Sequence, residues 1–306
     1  MMEGGVIRIG TRKSDLAVIQ TKLVADAIEK ARPDVRTELV LRQTMGDKIL
    51  GKPLLEFGGK GVFVSEFEEG LAKGEIDLAV HSAKDMPMDL AEGLAIVAVP
   101  EREDPRDVLV TVAGRELSGK KEIVIGTSSP RRQVQIEAIG PKLWPGATVR
   151  CEMLRGNVNT RLRKLEEGGY DGILLAAAGL KRLGFLDGSL PQFQFHFFDC
   201  ETFIPAGGQG ILAVEGREGD ERAEMACRAM EDPEARLCLL TERKVLRLLN
   251  AGCHEPIGVF SRILEDGQME LFGICGRKGV VRKTHLTGPA AQAEELAVQA
   301  AGELDG

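Results

Sequence analysis

Two stretches of similar sequence, VIRIGTRKS at 6–14 and IVIGTSSPRR at 123–132, decide the predicted fold of this 306-residue chain. Each begins with apolar residues typical of a buried strand and continues through Gly-Thr to hydroxyl and basic side chains at a predicted helix start. A helix N-terminus offers free N–H groups and the positive end of a dipole, which together suit an anion. The two stretches therefore predict two similar lobes that face each other across an anion-lined cleft.

Strands alternate with helices around both stretches. In the first lobe we predict strands over 6–10, 37–44 and 76–80 and helices over 16–31 and 63–73. In the second lobe we predict strands over 123–126, 148–151 and 172–175 and helices over 131–139 and 157–167. The first helix has a predicted buried face made of Leu16, Ile19, Leu23, Ala27 and Ala31. Such alternation predicts mostly parallel sheets covered by helices on both sides.

A third section differs from the two lobes. Pro233 stands in the first turn of a predicted helix that extends to about Asn250. Three apolar runs with short glycine-containing connections predict an antiparallel three-stranded sheet over 256–260, 269–274 and 280–286. With a final helix over 290–301, this section is predicted to be a small α+β unit.

The charge of the chain is acidic overall and basic in one segment. The formal net charge is −7 and aromatic residues make up 4%, which argues against nucleic acid because duplexes need a basic face and single strands need stacking rings. Residues 126–182 nevertheless carry ten basic and five acidic side chains. Most of these basic residues are arginines, which suit bidentate contacts with carboxylate or phosphate. We therefore expect a polyanionic small molecule as the ligand.

Several other classes of protein are disfavoured. The first residues, MMEGGVIRIG, lack a basic region followed by a long apolar run, so we expect no secretory signal. The longest apolar runs, 94–99 and 173–178, are far shorter than a membrane span. Because the histidines and cysteines show no metal-ligand spacing, we expect no metal and reduced thiols. The six cysteines are Cys151, Cys200, Cys227, Cys238, Cys253 and Cys275.

The segment HSAKDMP at 81–87 follows a predicted buried strand, where open α/β sheets place their sites. It brings together Ser82, Lys84 and Asp85. An ammonium favours the ionised form of a neighbouring carboxylate, which could stabilise a developing cation or move protons. The alternative is a surface turn with a salt bridge. Because His81 has no obvious partner, no nucleophile–base pair of the hydrolase kind is predicted.

Two further segments have both a functional and a structural interpretation. Arg131–Arg132 directly follow two serines at a predicted helix start, which favours an anion site over a solvated helix face with pairs such as Arg163–Glu167. Lys60 lies in GGKGVF at 58–63, within a glycine-rich stretch over 45–62 that we predict to be a long mobile loop.

Cys253 lies beside His254 in a predicted turn after a helix. Most free cysteines are small core residues. A thiolate in such a turn could instead hold a ligand covalently.

Eight motifs stand in order along the chain: IGTRKS at 9–14, GGKGVF at 58–63, HSAKDMP at 81–87, IGTSSPRRQ at 125–133, RGNVNTRL at 155–162, AAGLKRL at 177–183, GGQG at 207–210 and AGCHEPIG at 251–258. Together they resemble the porphobilinogen deaminase (hydroxymethylbilane synthase) family through nearly the whole chain. One such motif would be a weak signal, whereas eight in order are specific. The resemblance implies two periplasmic-binding-protein-like α/β lobes around a cleft, plus a small α+β C-terminal domain with a three-stranded antiparallel sheet.

The resemblance also implies a transferase of tetrapyrrole (porphyrin and heme) biosynthesis. The family joins four porphobilinogen molecules head to tail, releases ammonia, and frees hydroxymethylbilane with water. Its primer is a dipyrromethane cofactor held by a thioether to a cysteine, which corresponds to Cys253. The family's catalytic aspartate corresponds to Asp85, which would stabilise the azafulvenium cation formed as ammonia leaves, with Lys84 beside it.

The remaining site residues follow from the same resemblance, and no metal is expected. Those expected at the cofactor are Cys253, Ser82, Lys84, Asp85, Ser129, Arg131, Arg132 and Arg155. Those expected at the substrate are Arg12, Ser14, Gln20, Lys60, Arg155, Arg161 and Arg182.

Three domains are expected: 1–100 with 204–228 as the lobe of the catalytic aspartate, 101–203 as the arginine-rich lobe, and 229–306 as the domain of the cofactor cysteine. The expected partner is porphobilinogen, and a downstream uroporphyrinogen synthase is compatible with the family. We expect a cytoplasmic monomer that contacts neither nucleic acid nor membrane. The alternatives are a two-lobed anion-binding receptor without catalysis, disfavoured by the missing signal and by the third section, and an effector-sensing transcription factor, disfavoured because no helix-turn-helix precedes the lobes.

Overall fold

The computed structural model describes residues 5–42, 64–252 and 255–306. The predicted loop over 45–62, the GGKGVF motif with Lys60, and the pair Cys253 and His254 lie outside the described residues. The chain forms two compact units, and each combines two separate ranges of sequence. The first unit comprises Met1–Glu103 and Ile211–Leu240, and the second comprises Asp104–Gly210 and Thr241–Gly306.

The predicted strands and helices that fall on described residues are all present, with bounds shifted by a few residues. The strands are β1 Val6–Arg12, β2 Arg36–Arg42, β3 Leu78–Ser82, β4 Leu94–Ala98, β5 Asp107–Val112, β6 Glu122–Gly126, β7 Thr148–Glu152, β8 Gly172–Ala176, β9 Phe193–Phe197, β10 Leu212–Arg217, β11 Ile257–Ile263, β12 Gln268–Cys275 and β13 Arg282–Pro289. The helices are α1 Asp15–Ala31, α2 Ser65–Ala72, α3 Pro130–Leu143, α4 Val158–Glu166, α5 Ala177–Arg182, α6 Glu221–Cys227, α7 Pro233–Leu248 and α8 Ala293–Asp305. Among these helices, none is long and apolar enough to cross a bilayer.

The first unit is built on a five-stranded sheet in the order β2-β1-β3-β10-β4. β1 is parallel to β2 and β3, whereas β10 is antiparallel to both of its neighbours, β3 and β4. The core beside it joins Ile7 and Ile9 of β1 to Leu78 of β3 and Val214 of β10. The sheet is therefore mixed: β2, β1 and β3 are parallel, as predicted for this lobe, whereas β10 is antiparallel to both of its neighbours.

The sheet of the second unit has the same topology, in the order β7-β6-β8-β5-β9. β6 is parallel to β7 and β8, while β5 is antiparallel to β8 and β9. In both sheets the antiparallel strand comes soon after the chain has passed from one unit to the other, β5 after Glu103 and β10 after Gly210. The short sequence similarity between the two lobes thus corresponds to a repeated sheet topology.

The predicted buried face of α1 is wrong. Leu23, placed at its centre, is 49% exposed, and the face that packs on the sheet contains Val24 and Ile28. This face also includes the polar residues Gln20 and Thr21, which are buried. A pattern based on apolar residues could not predict that Gln20 is buried, because a buried polar side chain is tolerated where it is hydrogen-bonded, as Gln20 is to Ser82.

The three antiparallel strands predicted in the third section are confirmed, in the order β11-β12-β13. They pack on α8 and on the second half of α7. Their core joins Val259 and Leu271 of the sheet to Ala297 and Leu304 of α8 and Val245 of α7. This sheet belongs to the second compact unit, together with the arginine-rich segment.

A buried acid, Asp77, directly precedes β3 and pairs with arginines of β1 and β10. Arg8 donates from Nε and Nη2 to the Asp77 carboxylate at 3.2 and 3.1 Å, and Arg217 Nη2 donates at 3.3 Å. Burial alone raises the pKa of Asp77, but the hydrogen bonds and charge of Arg8 outweigh it and hold that pKa below its ordinary value. The ionised form of Asp77 therefore stabilises the folded state.

Replacing Asp77 with Asn is expected to lower the free energy of unfolding at neutral pH by about 2 kcal/mol. An acid with a lowered pKa stabilises the fold above its unfolded value near 3.8, and this contribution is lost as pH falls through the folded pKa. The difference between wild type and variant should therefore shrink as the pH is lowered from neutral through the unfolded value. Urea unfolding at several pH values measures it, with Asp34→Asn, in an exposed pair with Arg32, as the control that changes little. A difference that does not vary with pH would contradict this assignment.

Candidate active site

In the first unit, several predicted site residues lie at the carboxyl edge of the sheet. β1 and β3 are parallel neighbours in the register Ile9 with Leu78 and Gly10 with Ala79. Their carboxyl ends therefore share one edge, where Arg12 ends β1 and Ser82 ends β3. This is the edge at which open α/β sheets bind ligands.

Two residues predicted for different ligands contact each other at this edge. Gln20, 5% exposed, donates from Nε2 to Ser82 Oγ at 3.0 Å. Ser14 caps α1, and its Oγ accepts from the Ala17 N–H at 3.4 Å. Gln20 therefore links the start of α1 to the strand that leads to Asp85.

Lys84 and Asp85 lie in a single 3-10 turn that directly follows β3. Two buried residues anchor this turn: Ala83 begins it, and Met86 directly follows it. Asp85 is exposed, and within the described residues its carboxylate makes no hydrogen bond or ion pair. The alternative of a salt bridge at Asp85 is therefore not found within this part of the chain, and the carboxylate is available to a ligand.

The structure corrects the expectation that His81 has no partner. His81 Nε2 lies 2.9 Å from Glu215 Oε2, and Glu215 is completely buried. The imidazole also stands edge-on to the ring of Phe67 at 5.7 Å. The pair joins β3 to β10, and both side chains are buried.

In the second unit, two loops at the carboxyl edge of the sheet are tied together. Ser128 Oγ donates to the Leu154 carbonyl at 2.8 Å, and Thr127 N–H donates to the Glu152 carbonyl at 2.8 Å. The first loop leads into α3, which Ser129 caps. The second loop carries Arg155. Predicted cofactor residues on both loops are thus brought to one edge.

Arg131 and Arg132 do not face solvent but share one buried carboxylate, that of Asp107. Arg131 Nη1 donates to Asp107 Oδ2 at 2.6 Å, and Arg132 Nε and Nη2 approach Asp107 Oδ1 at 2.8 and 2.7 Å. The two arginines are 4% and 7% exposed, and Asp107 is 0% exposed. The predicted anion site therefore already contains one acid from the protein itself.

The other predicted arginines of this unit are half-buried and anchored to the backbone. Arg161 Nε donates to the Gly156 carbonyl and Arg182 Nη2 to the Gly210 carbonyl, both at 2.8 Å. Arg155 lies in the same loop as Gly156. By contrast, Arg163 and Glu167 are exposed and 3.8 Å apart, which is the solvated helix face described above as the alternative.

The donors of the second unit fit a ligand with several carboxylates. Arg131 and Arg132 carry two positive charges and Asp107 carries one negative charge, so these three residues together have a formal charge of +1. α3 has 14 residues and begins beside them with its N-terminal N–H groups. Arginine-rich sites with helix N-termini favour carboxylates, so this unit suits a ligand with several carboxylates.

Two buried acids escaped the sequence analysis. Asp107 opens β5, DVLVTV, and Glu215 lies in β10, LAVEGR, and both are 0% exposed. An unpaired charge inside an apolar strand is costly, so an acid at such a position must find a partner. That mismatch between residue and strand is the signal that could have found them.

Close backbone contact surrounds Gly258, five residues after Cys253. A Cβ at Gly258 would lie 2.8 Å from the carbonyl oxygens of Ile204 and Pro205 and 2.9 Å from Arg131 Cδ. β11 is also hydrogen-bonded there, because Val259 N–H donates to the Pro205 carbonyl at 3.0 Å. The strand after Cys253 is thus seated against the segment that Arg131 contacts.

Replacing Gly258 with Ala is expected to lower the free energy of unfolding by about 2 kcal/mol, because the methyl group would overlap two fixed carbonyl oxygens. Chemical unfolding measures this. Gly302→Ala in α8 is the control, since nothing lies within 4 Å of a Cβ there, and it should leave stability unchanged or raise it. Equal stability of Gly258→Ala and wild type would contradict the close packing.

The two sheets share one topology, and each unit has basic or hydroxyl side chains at the carboxyl edge of its parallel strands, so the chain is an α/β protein with two similar lobes. Two family models match the chain: porphobilinogen deaminase, dipyromethane cofactor binding domain, over residues 7–225, and porphobilinogen deaminase, C-terminal domain, over residues 236–306. The chain belongs to the porphobilinogen deaminase family.

Curated relatives agree with this assignment. The porphobilinogen deaminase of Acetivibrio thermocellus is 42% identical over 303 residues, covering 97% of each chain. That of Streptococcus sanguinis is 44% identical over 290 residues, covering 90% of this chain and 92% of its own. Among solved structures, the periplasmic aliphatic sulphonate binding protein of Escherichia coli aligns over 79% of this chain and 69% of its own, at 14% identity and a TM-score of 0.41.

Family membership settles the general activity. The chain is a transferase of tetrapyrrole biosynthesis that makes hydroxymethylbilane from porphobilinogen, and dipyrromethane is its cofactor. Lys60 and Cys253, both predicted to bind these ligands, lie outside the described residues.

Proposed function

We propose that this chain joins four porphobilinogen molecules head to tail by forming carbon–carbon bonds, with Asp85 as the catalytic acid–base group and Cys253 as the attachment point of the dipyrromethane. The observation that carries the proposal is the match to both family models over nearly the whole chain. The exposed Asp85 carboxylate, at the carboxyl edge of a sheet, supports its role.

The proposed role of Asp85 depends on its carboxylate, which can stabilise a positive charge that develops beside it. Departure of ammonia from the aminomethyl group of porphobilinogen leaves a cation, and a nearby carboxylate lowers the energy of that charge. The same carboxylate can take up and return a proton at its Oδ atoms as each new bond forms. Lys84, the preceding residue, adds a positive charge that suits a ligand carboxylate beside the reacting centre.

The cofactor, when bound, supplies a pyrrole carbon to which the first substrate unit is joined. We propose that Cys253 holds it through a thioether and that its carboxylates are bound by basic and hydroxyl side chains. Those residues are Ser82, Lys84, Ser129, Arg131, Arg132 and Arg155. Ser82 is fixed by Gln20, while Arg131 and Arg132 are fixed by Asp107, so the chain holds these groups in place before any ligand binds.

Substrate binding is an electrostatic problem, because each porphobilinogen carries an acetate and a propionate. Two primer rings and four added rings together carry twelve carboxylates, whose mutual repulsion must be offset by cations and by hydrogen-bond donors. We propose that this is the task of Arg12, Ser14, Gln20, Lys60, Arg155, Arg161 and Arg182. The concentration of arginines in residues 126–182 of an otherwise acidic chain supports it.

The remaining proposals concern domains, assembly and location. We propose the three domains given by the resemblance, and a monomer that works in the cytoplasm without nucleic acid or membrane. The acidic net charge of −7 supports the absence of nucleic acid.

The test is to incubate the purified chain with porphobilinogen and to quantify ammonia, residual substrate and tetrapyrrole. The proposal predicts one ammonia per porphobilinogen consumed and one linear tetrapyrrole per four. Binding of porphobilinogen without consumption would instead indicate the two-lobed receptor named as an alternative above.

A further inference from the structure

Asp107 occupies an unusual place among the acids of the second unit. It is completely buried at the start of β5 and is approached by two guanidinium groups, those of Arg131 and Arg132. The same arginines also donate to the backbone, Arg131 to the Ile204 carbonyl at 2.7 Å and Arg132 to the Leu174 carbonyl at 2.8 Å. Each guanidinium is therefore fixed in two directions at once.

The charges of this cluster stand close together and away from water. The two arginines are 4% and 7% exposed, and both contact the one Asp107 carboxylate. Without that carboxylate the two guanidinium groups would repel each other at close range, so Asp107 keeps them side by side.

The cluster is also connected to the strand that follows Cys253. Gln135 donates from Nε2 to the Ile204 carbonyl at 3.0 Å and accepts the Ile204 N–H at 2.6 Å, so this segment is held on both sides. Pro205, the next residue, accepts a hydrogen bond from Val259 of β11, and Gly258 packs against the Arg131 side chain. A shift of Arg131 would therefore move β11, which begins four residues after Cys253.

We propose that Asp107 is a positioning residue for the dipyrromethane: its buried carboxylate holds Arg131 and Arg132 in register with the strand that follows Cys253 and fixes the positive charge they offer. Asp107 need not touch the cofactor, since it acts through the two arginines. The proposal rests on the proposed function, in which Arg131 and Arg132 bind carboxylates of the cofactor.

The test is to measure the fraction of protein that carries the cofactor by intact mass of the full chain, alongside circular dichroism to confirm folding. Asp107→Asn keeps the side-chain shape but removes the charge, and its cofactor fraction is expected to fall about tenfold, the effect of losing a charge-assisted contact at each arginine. Asp171→Asn is the matched control. Asp171 is a 7% exposed acid of the same unit that accepts from Lys120 Nζ at 2.5 Å and from the Val124 N–H at 2.9 Å.

The outcomes separate this proposal from the one it rests on. A low cofactor fraction in folded Asp107→Asn with a wild-type fraction in Asp171→Asn supports the positioning role. Equal cofactor fractions in Asp107→Asn and Asp171→Asn overturn it, because removal of any buried acid in this unit would then have the same effect. Arg132→Gln tests the part of the proposed function on which this inference rests: a wild-type cofactor fraction in that variant would contradict the binding of cofactor carboxylates by Arg132, whereas absence of the cofactor from the wild-type chain would contradict the proposed function.

A second variant covers the case in which Asp107→Asn does not fold. Asp107→Glu keeps the negative charge but moves the carboxylate by one methylene, so both arginines must shift. The positioning role predicts a reduced cofactor fraction in the folded protein. A wild-type fraction together with wild-type turnover would overturn it.

Discussion

Replacing Asp85 with Asn is expected to lower turnover of porphobilinogen by about 10³-fold while leaving the dipyrromethane attached. The amide has the shape of the carboxylate, but it carries no charge to offset the cation left by ammonia and it cannot take up a proton. Asp85 is exposed and has no hydrogen bond or ion pair among the described residues, so the substitution should leave the fold intact. Steady-state turnover and intact mass, measured on the same preparation, check both parts.

Asp89 provides the control for this experiment, since it is an exposed acid four residues further along the same connection. Asp89→Asn changes the net charge by the same amount and should retain near wild-type turnover. An Asp85→Asn enzyme that works at the wild-type rate would remove Asp85 from its proposed role. If Asp85→Asn lost the cofactor, its low turnover would result from failed attachment of the primer and not from a slower reaction with porphobilinogen.

Replacing Cys253 with Ser is expected to abolish turnover, because the proposed primer then has no sulfur to which it can be bound. A serine hydroxyl is a much weaker nucleophile than a thiolate. The variant should fold as the wild type does, with unchanged circular dichroism and a cooperative unfolding transition. Turnover measured over long incubation gives the size of the loss.

Cys151 is the matched control among the other thiols. It is half-buried, and burial, followed by the charge of Glu137, raises the pKa of its thiol to about 12. Such a thiol stays protonated at neutral pH and is a poor nucleophile. Cys151→Ser should therefore keep full activity, and a loss equal to that of Cys253→Ser would argue that the cofactor is bound elsewhere.

The order of elements could be predicted from the sequence because apolar periodicity and helix-start signals are local. The two Gly-Thr stretches at the carboxyl ends of β1 and β6 predicted a repeated architecture, and the sheets do share one topology. The side of α1 that is buried could not be predicted in the same way. Gln20 is buried because Ser82, 62 residues away, accepts its hydrogen bond, and no local pattern contains that partner.

The candidate site, too, could be predicted only where the signal is local in the sequence. The position of Lys84 and Asp85 at the edge of the sheet could be predicted because they directly follow a strand. Arg131 and Arg132 were predicted as an anion site, and that role stays a prediction. Their partner Asp107 was not predicted, since the pairing depends on β5 lying beside β8. Contacts between strands that are distant in sequence are what local patterns leave out.

Intact mass of the purified chain, before and after the Cys253→Ser substitution, tests the central claim most directly. The account predicts that the wild-type chain exceeds the mass of its sequence by two pyrrole units and that Cys253→Ser has the mass of its sequence alone. Digestion should place the excess on the peptide that contains Cys253. An unmodified wild-type chain that still turns over porphobilinogen, or an excess that survives in Cys253→Ser, would contradict the account.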